Sequence, residues 1–485
     1  MFCQVLAIAI VTLAAGAGDA LFTQPRARII AANSQPRPTV LFSVADESLL
    51  DEVQHAAFNY FWNEVGSEAK LAKDRLHAPV ASIASVGFQL AALPIGVQRG
   101  WISADQGRRR ALTVLRSLIE RRDNKYRGMY LHFPDHNTAG PSDSGYEGVA
   151  STVDTALLIA GAIPAGTYFG GDVSDLVDRL IREADWKAYA RPPDGFLSMG
   201  WRPRNLHDMD AGGAFLNWDW HDASDEERLI YFLAVGTPVR EHAVAPRTYY
   251  KLHRVVKGYD DLPPFVVSYP GALFTYFFSQ LFIDYRAFGP DDPEVFGVDQ
   301  VRVDWFENAR RAVLTHRRRC IEQAGRFKTF ATDRWGLSAC VGRDGYIVPQ
   351  VRPNLSEQDQ WHDGTVAPYA AAAAIMFAPV ESLRAIRAFR GLTDAASQPV
   401  VWRDPATGGY GFVDAFNLDQ SYASDDYVGI DQGPILLAIE NARTGLIWRL
   451  FMRHAASRRA VQRLKWTPLP RATPTDTVPA GDPEP

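Results

Sequence analysis

The stretch Ser48-Leu-Leu-Asp-Glu-Val-Gln-His-Ala-Ala-Phe-Asn-Tyr-Phe-Trp-Asn-Glu-Val65 decides the fold class. Leu49, Val53, Ala57, Tyr60 and Phe61 recur at the spacing that gathers apolar side chains on one face of a helix. Ser48 is placed to cap that helix, and Glu52 suits its first turn. Working outward, the same period returns in 81–97, 103–122, 151–169, 173–189, 225–235, 272–287, 304–324, 366–377, 380–390 and 430–451, which makes eleven predicted helices. Strand-like alternation is confined to short pieces such as 346–351, so a doubly wound sheet is excluded. The expectation is an all-α fold of antiparallel helix pairs.

Between the helices run long loops, 126–148, 191–224, 249–270, 327–364 and 402–429, which carry Trp, Tyr, Gly and acids. Loops beyond about 12 to 15 residues are uncommon unless they are functional or disordered, and disorder favours Lys, Glu and Ser over aromatics. They are predicted to wall a substrate cleft. At 485 residues and 47% hydrophobic, the chain can bury a large core. Its 51 basic and 56 acidic residues leave a formal charge of −5, which gives no footprint for nucleic acid. The 12 Trp are numerous, and several lie in polar, Gly-containing stretches suited to flat sugar faces.

Residues 1–20 hold an apolar run from Val5 to Ala15 followed by small residues, resembling a signal peptide with cleavage near Ala17 or Ala20, although no Lys or Arg precedes the run. That run is short for a membrane span, so a periplasmic or secreted protein without stable membrane insertion is expected. Residues 21–47 read as a linker or arm, 48–454 as the folded domain, and the Arg-, Pro- and Thr-rich 455–485 as a disordered tail. Cys320 and Cys340 are either a disulfide or two buried thiols. No Cys/His cluster has zinc-ligand spacing, and neither metal nor cofactor is expected.

Hydrolysis of a glycosidic bond needs one protonated carboxyl and one ionised carboxylate, so acids set among aromatics at loop-to-helix junctions are the candidates. Glu226 and Glu227 follow Trp218 and Trp220 at the start of a predicted helix, where they serve either as acids or as partners of a Ser224 cap. In Ser142-Asp-Ser-Gly-Tyr-Glu-Gly-Val-Ala-Ser-Thr-Val-Asp154, Glu147 lies in a loop and Asp154 inside a helix, facing either a cleft or the core. Asp363 either caps the Ala-rich helix that follows it or faces substrate. In Gly408-Gly-Tyr-Gly-Phe-Val-Asp-Ala-Phe-Asn417 and Tyr427-Val-Gly-Ile-Asp-Gln-Gly-Pro434, Gly-rich turns bring Tyr410, Phe412, Asp414, Asp431 and Gln432 to a ligand or to a structural corner.

The run Asp363-Gly-Thr-Val-Ala-Pro368, the Gly-Phe-Val-Asp-Ala-Phe-Asn417 segment, and Gly429-Ile-Asp-Gln-Gly-Pro-Ile435 with Glu440-Asn-Ala-Arg-Thr-Gly-Leu-Ile-Trp448 together resemble the glucoamylase-like domain of bacterial β-1,2-glucan-active enzymes. That family includes the endo-β-1,2-glucanases of glycoside hydrolase family 144. Trp335-Gly-Leu-Ser-Ala339, Ser151-Thr-Val-Asp-Thr-Ala-Leu-Leu158 and 229–238 fit it in the same order, so the resemblance covers roughly 48–452. It implies an (α/α)6 barrel, or toroid, no essential metal, and hydrolysis of β-1,2-glucan with inversion. The family's acid five positions before a Tyr matches Glu226, since Tyr231 follows it, and the acid of Thr-Val-Asp-Thr-Ala matches Asp154. Glu227 and Arg228 depart from the small or apolar pair that relatives carry there. On this reading Glu226 is the general acid, Asp154 assists water, and Trp218, Trp220, Trp335 and Tyr410 stack on sugar rings. A retaining transglycosylase and a non-catalytic glycan-binding protein are the alternatives.

Overall fold

A computed structural model describes residues 29–30, 39–356, 360–469 and 477–479. The expected signal peptide at 1–20 lies outside them. Thirteen α-helices are described: α1 Val44–Asn63, α2 Ile83–Gln98, α3 Ala104–Ile119, α4 Thr152–Phe169, α5 Gly171–Glu183, α6 Asp225–Gly236, α7 Pro246–Lys251, α8 Trp305–Glu322, α9 Pro368–Ala373, α10 Pro379–Gly391, α11 Gly429–Arg443, α12 Leu446–Arg453 and α13 Ala455–Leu464.

They fall into two kinds. Along α2, α4, α6, α9 and α11 almost every residue is buried. In α1, α3, α5, α8 and α10 a single face is buried, as the sequence period requires of a helix with one side in water. The buried helices contact one another in series: α2 packs on α4, α4 on α6, α9 on α11, and α11 back on α2. Between α6 and α9 the series runs through short 3-10 turns at Leu273–Tyr276 and Ser279–Leu281, where Phe277 meets the ring of Tyr369 edge-on at 6.2 Å. The chain is mostly helical and consistent with an α/α-barrel-like fold. The α2–α4 contact is backbone against backbone: a Cβ on Gly161 would lie 1.8 Å from the carbonyl oxygen of Gly87. Glycine is required there because no side chain fits between the helices.

Several expectations are corrected. α1 starts at Val44, and Ser43 rather than Ser48 is its N-cap, in a capping box with Asp46. The folded region thus begins inside the expected 21–47 linker. The predicted helix 272–287 is a chain of 3-10 turns, the last at Tyr285–Ala287, because its aromatic side chains fill the core singly. The predicted 430–451 helix breaks at Gly445, which takes φ +67°. The expected tail from 455 instead opens with α13, whose Ala456, Ala460 and Leu464 are buried at helical spacing. The Arg residues that made this stretch look like a tail serve α6. Arg459 donates to the Gly236 carbonyl at 2.8 Å and Arg463 to those of Val235 and Thr237 at 2.7 and 3.1 Å, satisfying the helix's open C-terminal end. Loop 191–224 contains a hairpin, Gly200–Asn205 with Asp208–Phe215, that alternation did not reveal. Cys320 and Cys340 are both free and buried. Among the described residues no helix is long and apolar enough to cross a membrane.

Candidate active site

Asp154 sits in the first turn of α4 and is buried. Ser151, the N-cap of that helix, donates its hydroxyl to Asp154 Oδ2 at 2.5 Å. The short strand Ala150–Ser151 pairs with Gly200–Asn205, which fixes where α4 begins. On its other side Asp154 meets His132, whose Nε2 is 3.4 Å from Oδ1, while Nδ1 of the same ring is 2.9 Å from Glu147 Oε1. Burial alone would depress the His132 pKa. The charges of Asp154 and Glu147 outweigh it and push it up to about 9, so the ring is a cation at neutral pH. Burial likewise raises Asp154, aided by Glu147 and Asp74, while His132 and the Ser151 hydroxyl hold it down, with a net rise. Burial would raise Glu147 too, but its bond to His132 leaves it below the ordinary carboxylate range.

Glu226 stands in the first turn of α6, which packs on α4. Its side chain is partly reachable by solvent, yet walled closely enough by protein to lose most hydration. That burial, together with the charge of Asp154, pushes its pKa up to about 8. The two acids that sequence reasoning paired therefore share one electrostatic field, with Glu226 holding its proton more tightly. Ser224 caps α6 by accepting from the Glu226 amide at 3.2 Å and donates its hydroxyl to the buried Glu227 carboxylate, so the cap engages the backbone of Glu226 and leaves its carboxyl out. The N-termini of α4 and α6 are also tied through Trp220, whose indole N–H donates to Thr152 Oγ1 at 2.8 Å.

A second acid pair, Asp414 and Asp431, lies at the start of α11, both buried. Burial, then the charge of Asp414, raises Asp431 far above the carboxylate range, and burial pushes Asp414 up to about 6. Asp414 Oδ2 also accepts from the Val341 amide at 2.5 Å. Between the two pairs lies Asp74, whose charge acts on Asp154, His132 and Asp431 alike. Arg75 is 3.2 Å from Asp74 and lies over the half-exposed ring of Tyr346, 6.0 Å from its centroid. Sequence reading missed His132, Asp74, Arg75 and Tyr346. None carries a motif, and each is defined only by what the fold sets beside it.

The aromatic expectations divide. Trp218 is 45% exposed and free to meet a ligand, and Trp361, which was not anticipated, is 48% exposed. Trp335 is fully buried and Phe412 nearly so, so neither stacks on a ligand. Trp220 is buried with its N–H engaged as above. Tyr410 is buried, with its hydroxyl 2.6 Å from Glu64 Oε1 and its ring edge-on to Tyr60 and Tyr427. Gln432 is buried and donates to the Phe412 carbonyl at 3.2 Å. Asp363 closes a local turn on the Thr365 amide and accepts from Gln420 at 2.9 Å, while Ala367 rather than Asp363 precedes α9. Trp220, Trp335, Tyr410, Phe412 and Gln432 are thus buried side chains whose types suggested ligand contact, while Asp363 is part-buried. Large aromatics and amides fill cores as readily as clefts.

Residues 217–455 match the Glycoamylase family of glucoamylase-type domains. Just under half of the chain thus resembles a glucoamylase-type domain. This match takes in Trp218, Glu226, Asp414 and Asp431, while Asp154 and His132 lie ahead of it. A curated relative, the exo β-1,2-glucooligosaccharide sophorohydrolase (non-reducing end) of Parabacteroides distasonis, is 28% identical over 472 residues, covering 89% of this chain. This chain spans 60% of that relative's length. Among solved structures, a β-1,2-glucanase from Parabacteroides distasonis is 25% identical with a TM-score of 0.72, over 87% of this chain and 60% of that one. The endo-β-1,2-glucanase of Chitinophaga pinensis, in complex with sophorotriose and glucose, shares the fold at 23% identity and a TM-score of 0.73, over 88% and 99% of the two chains. The shared fold therefore extends well beyond residues 217–455.

Proposed function

We propose that this protein is a glycoside hydrolase that cleaves β-1,2-glucan with inversion, on the floor of an (α/α)6 barrel. The inner ring is read as α2, α4, α6, the 3-10 turns 273–281, α9 and α11, with α1, α3, α5, α7 with α13, α8 and α10 outside. The observation that carries the reading is the splitting of two neighbouring acids. Glu226 is pushed up to about 8 and keeps its proton at neutral pH, while at Asp154 the cationic His132 pulls down against the rise that burial imposes.

Glu226 protonates the leaving glycosidic oxygen as the bond to the anomeric carbon breaks. Water attacks that carbon from the opposite face and passes its proton to Asp154, directly or through a substrate hydroxyl. Solvent then exchanges the two protons back. Glu147 and Ser151 position His132 and Asp154 respectively, and Trp218 offers a sugar platform at the mouth. The named activities of the similar proteins support β-1,2-linked glucose as the substrate class.

The test is to incubate the purified chain with linear β-1,2-, β-1,3-, β-1,4- and β-1,6-glucans and follow products by chromatography and proton NMR. Reducing ends from the β-1,2-glucan alone, with the α-anomer appearing first, are expected. A β-anomer first would replace inversion by retention, and saturable binding without any new reducing ends would replace hydrolysis by glycan capture.

A further inference from the structure

We propose that His221, Asp222 and His253 form a binding site for a divalent transition-metal ion of the zinc class, clamping the segment that leads into α6 to the one that follows α7. One ligand atom from each of the three side chains lies within 4.8 Å of the others. His253 lies 31 residues after Asp222 in sequence, so no spacing motif announces the three.

The frame that presents them is rigid. His253 donates its amide to the His221 carbonyl at 2.8 Å, Ala223 donates to the His253 carbonyl at 3.1 Å, and Asp222 and His253 form a parallel bridge. Both imidazoles rest beside the buried ring of Phe196, at 6.2 and 6.0 Å, and lie 5.2 Å from each other.

The tautomer chemistry suits a metal. His221 Nδ1 is 2.6 Å from Asp219 Oδ1, so this nitrogen carries the proton and Nε2 is left with its lone pair. A carboxylate holding the far nitrogen of a ligating histidine is the usual outer partner in zinc sites. His253 Nδ1 and Asp222 Oδ1 are 3.6 Å apart, too far for a hydrogen bond. With ligand bonds of about 2.0–2.1 Å, neighbouring corners of a zinc tetrahedron lie about 3.3 Å apart, so a small rotation closes the pair on an ion. Two imidazoles and one carboxylate select zinc, cobalt, nickel or copper over magnesium or calcium. Asp219 and Asp222 offset the ion's two charges. His253 is exposed and the other two are half-buried, so an ion can reach the site and keep water in its fourth position. The proposal does not depend on the hydrolase reading, since it concerns the frame that holds α6 rather than the acids on it.

The full chain, dialysed against a chelator, is titrated with Zn²⁺ by calorimetry and with Co²⁺ by visible absorption. One equivalent of zinc and the intense bands of four-coordinate cobalt are expected, with a zinc-dependent rise in melting temperature. His253→Ala and Asp222→Asn should each weaken zinc at least ~100-fold, and Asp219→Asn about 10- to 100-fold. His207→Ala, at the separate His207–Asp143 pair, should leave binding unchanged. Absence of saturable binding at micromolar zinc overturns the site, as does binding that survives in both Asp222→Asn and His253→Ala. Asp222→Asn is the isosteric variant that decides the matter should His253→Ala not fold.

Discussion

Replacing Glu226 by Gln tests the central electrostatic argument through stability as well as turnover. In the unfolded chain Glu226 titrates near the ordinary glutamate value of 4.5, and in the folded protein at about 8. Between those values the native state holds a proton that the unfolded state has released, so stability falls as pH rises across this window and levels off above it. At 1.36 kcal/mol per pKa unit the window is worth at most about 5 kcal/mol, and partial exposure of the side chain reduces the expectation to about 2–3 kcal/mol. Gln cannot ionise and escapes this loss. Urea unfolding at a series of pH values from 5 to 9 should therefore show wild type losing about 2–3 kcal/mol more than Glu226→Gln across the range. The buried Glu227 titrates in both proteins, so the comparison largely removes its contribution. The same variant should lose about 10²- to 10⁴-fold in turnover with the fold intact. Parallel stability profiles would refute the raised pKa, and with it the assignment of Glu226 as the proton donor.

Three further outcomes follow from other parts of the structure. His132→Gln removes the cation that holds Asp154 down, so the acid limb of the kcat/KM profile should move to higher pH, and a limb left in place would show that His132 does not govern Asp154. Trp218→Ala should raise KM with melting temperature nearly unchanged, whereas Trp335→Ala should destabilise by about 3–5 kcal/mol because it empties the core. Gly161→Ala places a methyl on the Gly87 carbonyl and should cost at least about 1–3 kcal/mol in urea unfolding, more than any outer-helix Gly→Ala change.

Most helices were legible because their amphipathic period survives in the sequence, and α3 and α5 show it plainly. The inner helices are apolar on all sides and carry no period, so they were read from their length and apolarity, and where aromatics interrupt them at 272–287 the reading failed. α13 was lost for the opposite reason: its arginines hid three buried apolar positions. At the site, Glu226 stood out as an acid at a helix start beside tryptophans and Asp154 as an acid inside an otherwise apolar helix, and the charge of Asp154 acts on Glu226. His132 could not be found this way, since its importance comes from Glu147 and Asp154 closing on it from two segments. Tryptophans were poor guides for a related reason, because exposure of an indole depends on the packing around it and Trp335 and Trp218 look alike in sequence.

The site concentrates acid where burial should forbid it, and the fold supplies the compensation. Asp154, Glu226 and Asp431 each occupy the first turn of an inner helix, where unpaired amides and the helix dipole favour negative charge. That contribution is about 0.3–1 kcal/mol per helix at a surface and larger in partly buried sites, too little to hold all three ionised against burial. Arg75 and His132 are the cations set among these acids, and they accompany Asp74 and Asp154. Glu226 and Asp431 have no cation among the groups that shift them, while Arg75 pulls Asp414 down. At Glu226 nothing offsets burial, whereas at Asp154 and Asp414 a cation offsets part of it. Bringing a Lys or Arg within reach of Glu226 should accordingly lower its pKa without touching the carboxyl itself, a change readable as a shift of the alkaline limb of the pH–rate profile to lower pH.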